Sequence, residues 1–176
     1  MRDSTQSKSK KAINVYLVIG EPNMGKSTVM RHLVAFTGRN GGKALFEKEL
    51  LTIYPQPFII SFYGYQALQE SGISPQEFIQ FVQNQTKQPE NLILALRLNA
   101  TNGNKNVGAC PDADAYIQAF IKAGWTISKS VVLDASGNAK YPEDWNALSV
   151  LSRPAQNAPI PTNRMAAYTR IYFGWI

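Results

Sequence analysis

Gly20-Glu21-Pro22-Asn23-Met24-Gly25-Lys26-Ser27-Thr28 is the stretch that decides how this chain reads. Immediately before it, Asn14-Val15-Tyr16-Leu17-Val18-Ile19 is a short apolar run rich in β-branched residues, the signature of a buried strand. Immediately after it, a helix is expected from about Gly25, because Val29, Met30, Leu33 and Val34 fall on one apolar stripe. A strand, a glycine-bearing loop and a helix in direct succession bring backbone amides together at the positive end of a helix. The first eight residues fit G-x-x-x-x-G-K-[ST] without a mismatch. Gly20 and Gly25 let the backbone approach a phosphate where a Cβ would collide. Lys26 supplies a mobile ammonium for β- and γ-phosphates, Ser27 a hydroxyl for Mg²⁺, and Thr28 reaches toward the α-phosphate. The expected nucleotide-binding residues are therefore Gly20, Asn23, Met24, Gly25, Lys26, Ser27 and Thr28.

Beyond the loop the chain alternates strand and helix signals. Gly38 and Gly41-Gly42 end the first helix. Ala44-Leu45-Phe46 and Leu50 to Tyr54 are two further strand candidates, and Phe58 to Phe62 reads as a second buried strand. Ser74-Pro75-Gln76-Glu77 combines an N-cap, a proline at the first helical position and a capping box, opening a helix to about Gln85 with Phe78, Phe81 and Val82 inward. Leu92 to Leu98 is a third buried strand, followed by a polar stretch from Asn99 to Gly108. Pro111-Asp112 opens a helix with the stripe Tyr116, Ile117, Phe120, Ile121, which Gly124 closes. Trp125 to Asp134 is strand-like, and a Pro-punctuated region runs from Tyr141-Pro142 to Pro161-Thr162. Arg164 to Ile176 reads equally as a helix or as an aromatic strand. With few tight hairpin signals, this order predicts an α/β fold of three layers, a mostly parallel sheet with helices on both faces.

Composition supports one domain. The chain has 176 residues, 44% of them hydrophobic and 17% charged, enough for a full core and too apolar for a disordered polypeptide. No apolar run approaches the roughly 18 residues of a membrane span, and no signal-peptide core opens the sequence, so no membrane partner is expected. The lone Cys110 forms no internal disulfide, which together with these features predicts a cytoplasmic protein. Arg2, Lys8, Lys10 and Lys11 against Asp3 put half of the net charge of +6 into the first eleven residues. Residues 1–12 are thus expected to be a disordered basic tail, with nucleic acid as its weaker alternative role, and 13–176 a single nucleotide-binding domain.

Residues 13–36 resemble the first strand, loop and helix of the P-loop NTPase superfamily, over about a seventh of the chain. That resemblance implies a site at the carboxyl ends of parallel strands. Gly20 to Thr28 is also similar to the G-x-P-N-x-G-K-S-T opening of several translation-associated GTPases. Those enzymes need a D-x-x-G loop and an N-K-x-D guanine reader as well. The single D-x-x-G, Asp134-Ala135-Ser136-Gly137, lies more than a hundred residues downstream, and Asn104-Lys105-Asn106-Val107 lacks the acid. ATP with Mg²⁺ is the expected ligand on this ground, and GTP stays open.

The groups that would act on the γ-phosphate lie outside the motif. Val131-Val132-Leu133-Asp134 ends a strand in a carboxylate suited to magnesium's water shell, so Asp134 joins Ser27 as a metal candidate; the same Asp134 also fits the start of a turn. A small phosphotransferase needs arginines that close over phosphates. Arg153 and Arg164 flank the stretch Pro154 to Asn163, a candidate lid, and Arg97 lies near the carboxyl end of a strand otherwise made of Leu, Ile and Ala. Lys26, Arg97, Asp134, Arg153 and Arg164 are the catalytic candidates. Glu47 or Glu49 is a weaker acceptor contact, and Tyr63 and Tyr65 are candidates for stacking on a ring. The single histidine, His32, sits on the helix after the loop and gives no support to a catalytic triad or a His-rich zinc site, and Cys110 has no evident base. Two readings follow: an ATPase or small-molecule kinase acting on an unidentified acceptor, or a nucleotide-sensing protein that binds without efficient turnover and signals to a protein partner.

Overall fold

The computed structural model of the chain describes residues 12–34, 49–53, 60–65, 68–86, 88–100, 111–152 and 162–175. Strand β1 (Asn14–Gly20) leads into a glycine-bearing loop and then into helix α1 (Lys26–Val34). Next come β2 (Glu49–Ile53), β3 (Ile60–Tyr65), α2 (Pro75–Gln83), β4 (Asn91–Leu96), α3 (Ala113–Lys122), β5 (Thr126–Asp134), β6 (Ala147–Leu151) and α4 (Thr162–Phe173). The six strands form one sheet in the order β2-β3-β4-β1-β5-β6. Every adjacent pair is parallel except β2 with β3, so the one antiparallel strand lies at an edge.

The alternation of side chains along β1 explains how both faces become buried. Val15, Leu17 and Ile19 join α2 and α3 residues Phe78, Val82, Tyr116, Ile117 and Phe120 in one apolar cluster. Val18 joins α1 and α4 residues Val29, Met30, Leu33, Met165 and Ala166 in a second. A strand that buries both faces must be continuously apolar, which is why residues 15–19 carry no charge. The first cluster is aromatic at its centre, with the Phe120 and Trp125 rings stacked at 5.0 Å and Tyr116 set edge-on to Phe120.

Helix starts follow their caps. The Ser74 hydroxyl accepts from the Glu77 amide while the Glu77 carboxylate accepts from the Ser74 amide at 2.8 Å, completing the expected capping box. Asp112 caps α3 by accepting from the Ala115 amide at 2.9 Å, and Gly124 ends it at φ 81°.

Several boundaries and one burial differ from expectation. β3 runs on to Tyr65, past the expected Phe62, and β4 stops at Leu96 rather than Leu98. Ile121, expected on the inward stripe of α3, is 39% exposed and lies one residue before the helix ends at Lys122. Residues 147–151, inside the Pro-punctuated region, form the edge strand β6. The final segment is a helix: Met165 and Phe173 are buried on one side, and Tyr168 and Ile171 are exposed on the other. The basic tail to Lys11, the strand candidate at 44–46, Cys110, Arg153 and the lid stretch through residue 161 lie outside the described residues, as do the side chains of His32, Glu49, Tyr63 and Tyr65. No helix among the described residues is long and apolar enough to cross a membrane.

Candidate functional site

The parallel ladder brings the ends of β1, β4 and β5 to one edge of the sheet. Ile19 pairs with Leu96 on one side and Val132 on the other, and Gly20 pairs with Leu133. Residues that follow these strands therefore emerge around the loop. Gly20 is required by the crowding there, because a Cβ would lie 2.9 Å from the Leu133 carbonyl oxygen. Further along, Asn23 at φ 65° and Gly25 at φ 88° turn the backbone through the left-handed region, which asparagine and glycine tolerate best. The Val29 amide bonds to the Gly25 carbonyl at 2.8 Å, so the helical ladder begins inside the loop.

Lys26 folds back over this turn. Its ammonium donates to the Gly20 carbonyl at 2.8 Å and the Glu21 carbonyl at 3.0 Å. Burial pushes the ammonium below the ordinary lysine range; the Glu70 charge pulls it up, Arg97 pushes it down and Glu21 pulls it up. Ser27 is exposed and Thr28 half-buried at the first turn of α1. The Met24 amide, expected in the phosphate cradle, donates to the Glu21 carbonyl at 3.3 Å, while the Met24 side chain is buried.

The loop rests on the carboxyl-terminal quarter of the domain. The Ser152 hydroxyl, buried, donates to the Met24 carbonyl at 2.9 Å. A Cβ on Gly25 would lie 3.6 Å from Met165 of α4. Arg170 donates to the Leu33 carbonyl near the end of α1 at 3.3 Å, where a cation also opposes the helix dipole. Arg164 is exposed on the first turn of α4 and Arg153 is outside the described residues.

A polar cluster that the sequence did not announce sits where β3 and β4 end. Arg97, directly after β4, forms a 2.8 Å ion pair with Glu70 in the turn after β3. Gln69, only 1% exposed, ties the same segments together. Its amide nitrogen donates to the Arg97 carbonyl at 3.1 Å and the Pro111 carbonyl at 2.8 Å, and its oxygen accepts from the Arg97 amide at 2.5 Å. The Leu98 amide donates to the Gly20 carbonyl, and Asn99 donates to the Glu21 carboxylate at 2.5 Å. The backbone of the loop after β1 is thus fastened to the end of β4. No motif in the sequence marks Gln69, whose importance shows only in its burial and its three bonds.

Comparison with protein families, with curated proteins and with solved structures gives no match to this chain. The site therefore has to be read from its own chemistry.

Asp134 stands at the end of β5 with its carboxylate spent on its own turn. One oxygen accepts from the Ser136 amide at 2.7 Å, the Ser136 hydroxyl at 2.5 Å and the Gly137 amide at 2.8 Å. The other accepts from the Ser149 hydroxyl of β6. Burial opposes the charge, but the bonds from Ser136, Ser149 and Gly137 outweigh it and hold the carboxyl below the ordinary aspartate range. Asp134 in turn acts on Tyr141, whose phenol is pushed up to about 12 by burial and by the neighbouring carboxylate. Because the Asp134 pKa is depressed in the folded state, its contribution to stability is present above the unfolded value near pH 4 and is lost as pH falls through the folded value. Urea unfolding followed from about pH 6 to about pH 3 is expected to show a smaller loss of stability for Asp134→Asn than for the wild type. An equal loss in both would show that these bonds favour the carboxylate no more than water does.

Among the described residues no group of three or more His, Cys, Asp or Glu side chains converges as a metal cage. Magnesium that enters with a triphosphate does not need one, since phosphate oxygens, waters and one or two protein oxygens complete its shell.

Proposed function

We propose that the chain is an ATP-binding protein with a P-loop NTPase-like fold, which takes Mg²⁺ with its nucleotide and catalyses hydrolysis or phosphoryl transfer. The observation that carries this reading is the posture of Lys26. Its partly desolvated ammonium is curled onto the Gly20 and Glu21 carbonyls within a loop turned by Asn23 and Gly25. A triphosphate gives that ammonium anionic partners in place of neutral carbonyls, and charge-assisted bonds are roughly twice as strong as neutral ones. Gly20, Asn23, Gly25, Lys26 and Thr28 surround the phosphates in this reading, with Met24 anchoring the loop from beneath. Ser27 holds the metal, which neutralises charge on the β- and γ-phosphates when bound. ATP is preferred to GTP because no guanine-reading motif accompanies the loop.

Nucleotide sensing without efficient turnover is the second reading, and it has its own observation. Of the described catalytic candidates beyond Lys26, Arg97 is engaged by Glu70 and Asp134 by its turn, while Arg164 is exposed. Product analysis with Mg·ATP separates the readings. Steady ADP release without an acceptor indicates an ATPase, release stimulated by a nucleoside, sugar or metabolite indicates a kinase, and tight binding with neither indicates a sensor. No binding of any nucleoside triphosphate would refute all three.

A further inference from the structure

The cluster beyond β3 and β4 contains two cations and two carboxylates: Lys26 and Arg97, Glu21 and Glu70. Their opposite charges balance while no anion is bound. Glu70 is already committed to Arg97 at 2.8 Å, and both act on the Lys26 ammonium, one raising and one lowering its affinity for a proton. Arg97 thus belongs to the same electrostatic neighbourhood as the lysine of the loop. Its backbone is fixed from both sides, by Gln69 through the Arg97 amide and carbonyl and by the Leu98 amide on the Gly20 carbonyl. The guanidinium, in contrast, is held among the described residues by one partially exposed carboxylate. A fixed backbone with an exchangeable head is suited to changing partners without moving the strand.

We infer that Arg97 and Glu70 form a triphosphate-sensing pair, in which Arg97 leaves Glu70 for the γ-phosphate and the Glu70 carboxylate is freed only when a third phosphate is present. This rests on the reading of residues 20–28 as a nucleotide site. It assigns to Glu70 a role as competitor: the carboxylate and the γ-phosphate bid for the same planar donor set, which suits both. A diphosphate leaves the ion pair in place. The state of the pair then distinguishes a loop holding ATP from one holding ADP, which either an enzyme or a sensor requires.

The test is calorimetric titration of the wild type, Arg97→Ala and Glu70→Gln with the β,γ-imido analogue of ATP and with ADP, each with Mg²⁺. Arg97→Ala is expected to weaken the ATP analogue about tenfold, the scale of one charge-assisted contact, while ADP changes by less than about twofold. Glu70→Gln removes the competitor and is expected to tighten the ATP analogue several-fold, again sparing ADP. Arg97→Lys, which keeps the charge but not the fork, is expected to fall between wild type and Arg97→Ala. Thermal melts of each variant guard against misfolding, and both side chains are exposed enough for substitution to leave the core alone. Equal effects on the two nucleotides, or a weaker ATP analogue in Glu70→Gln, would overturn the exchange. If the wild type binds both nucleotides and the variants do not discriminate, only the exchange falls. If the wild type binds neither, the nucleotide site falls with it.

Discussion

Lys26→Ala is expected to lose at least about 2 kcal/mol of triphosphate affinity, roughly thirtyfold, with the fold preserved. The loss is large because the ammonium is the one point charge that the motif aims at the β- and γ-phosphates. The fold survives because, among the described residues, Lys26 bonds to two carbonyls at the rim of the loop, and one of these, on Gly20, also accepts from the Leu98 amide. A second variant sharpens the expectation. Burial lowers the Lys26 pKa, so its charge is carried at a cost in the nucleotide-free state. Lys26→Met keeps much of the apolar stem without that charge and is expected to melt at or above the wild-type temperature in the absence of nucleotide. The pH dependence has a definite sign. Between the folded value and the ordinary lysine value near 10.5, the unfolded chain holds the extra proton, so wild-type stability rises with pH there. Lys26→Met should lack that rise. Undiminished ATP binding by either variant, seen calorimetrically with unchanged circular dichroism, would dispose of the phosphate-loop reading.

The second large effect is expected from Gln69→Leu, which changes no group in the loop. Leucine fills a similar volume but leaves the Arg97 amide, the Arg97 carbonyl and the Pro111 carbonyl without the partner that Gln69 supplies. Each buried group stranded in this way costs about 1–3 kcal/mol, and partial relaxation toward water reduces the sum. A destabilisation of about 3 kcal/mol is expected from urea titration, which is a large share of the stability of a domain this size. Nucleotide affinity should fall as well, because Gln69 sets the position from which Arg97 meets Glu70 and Leu98 meets Gly20. Gln69→Glu makes the distinction between shape and bonding. Its carboxylate retains an acceptor for the Arg97 amide but faces two carbonyls that need a donor, so it is expected to be as damaging as leucine. A change below about 1 kcal/mol in either variant would mean that the turn after β3 reorganises freely.

The sequence made the centre of this molecule legible and its periphery less so. β1, α2 and α3 could be read because their signals are local: a β-branched run against a glycine, a Ser-Pro-x-Glu cap, an Asp cap and a closing glycine. Gln69 and Glu70 lie in a turn with no motif. Their importance comes from β4 inserting between β3 and β1, a long-range fact that no window of sequence contains. Ending β3 at Phe62 rather than Tyr65 also hid how close to them the strand runs. β6 escaped because Ala147-Leu148-Ser149-Val150-Leu151 is a half-exposed edge strand flanked by prolines, where apolar periodicity is weak. The final helix could not be separated from a strand, since its aromatic residues fit both periods until packing against α1 decided between them. For Asp134 the carboxylate at a strand end was read correctly as a position, whereas its bonds to Ser136, Gly137 and Ser149 depend on the turn closing and on β6 arriving beside it.

The placement of β1 has a consequence for how the molecule is made. It precedes the other described strands in the chain, yet both its partners, β4 and β5, belong to later parts of it. Until residues 91–96 and 126–134 have emerged, neither edge of β1 can pair, and its run of aliphatic side chains is without a sheet. The loop waits longer still. The bond from Ser152 to Met24 joins residues 128 positions apart, and the α4 side chains that support Gly25 follow it. Contacts of such sequence separation slow folding, because the entropy of closing the chain is lost before the contact is gained. Nascent chains halted before β5 should therefore be sensitive to protease throughout β1, and nucleotide added during synthesis should protect the loop only after α4 has been translated.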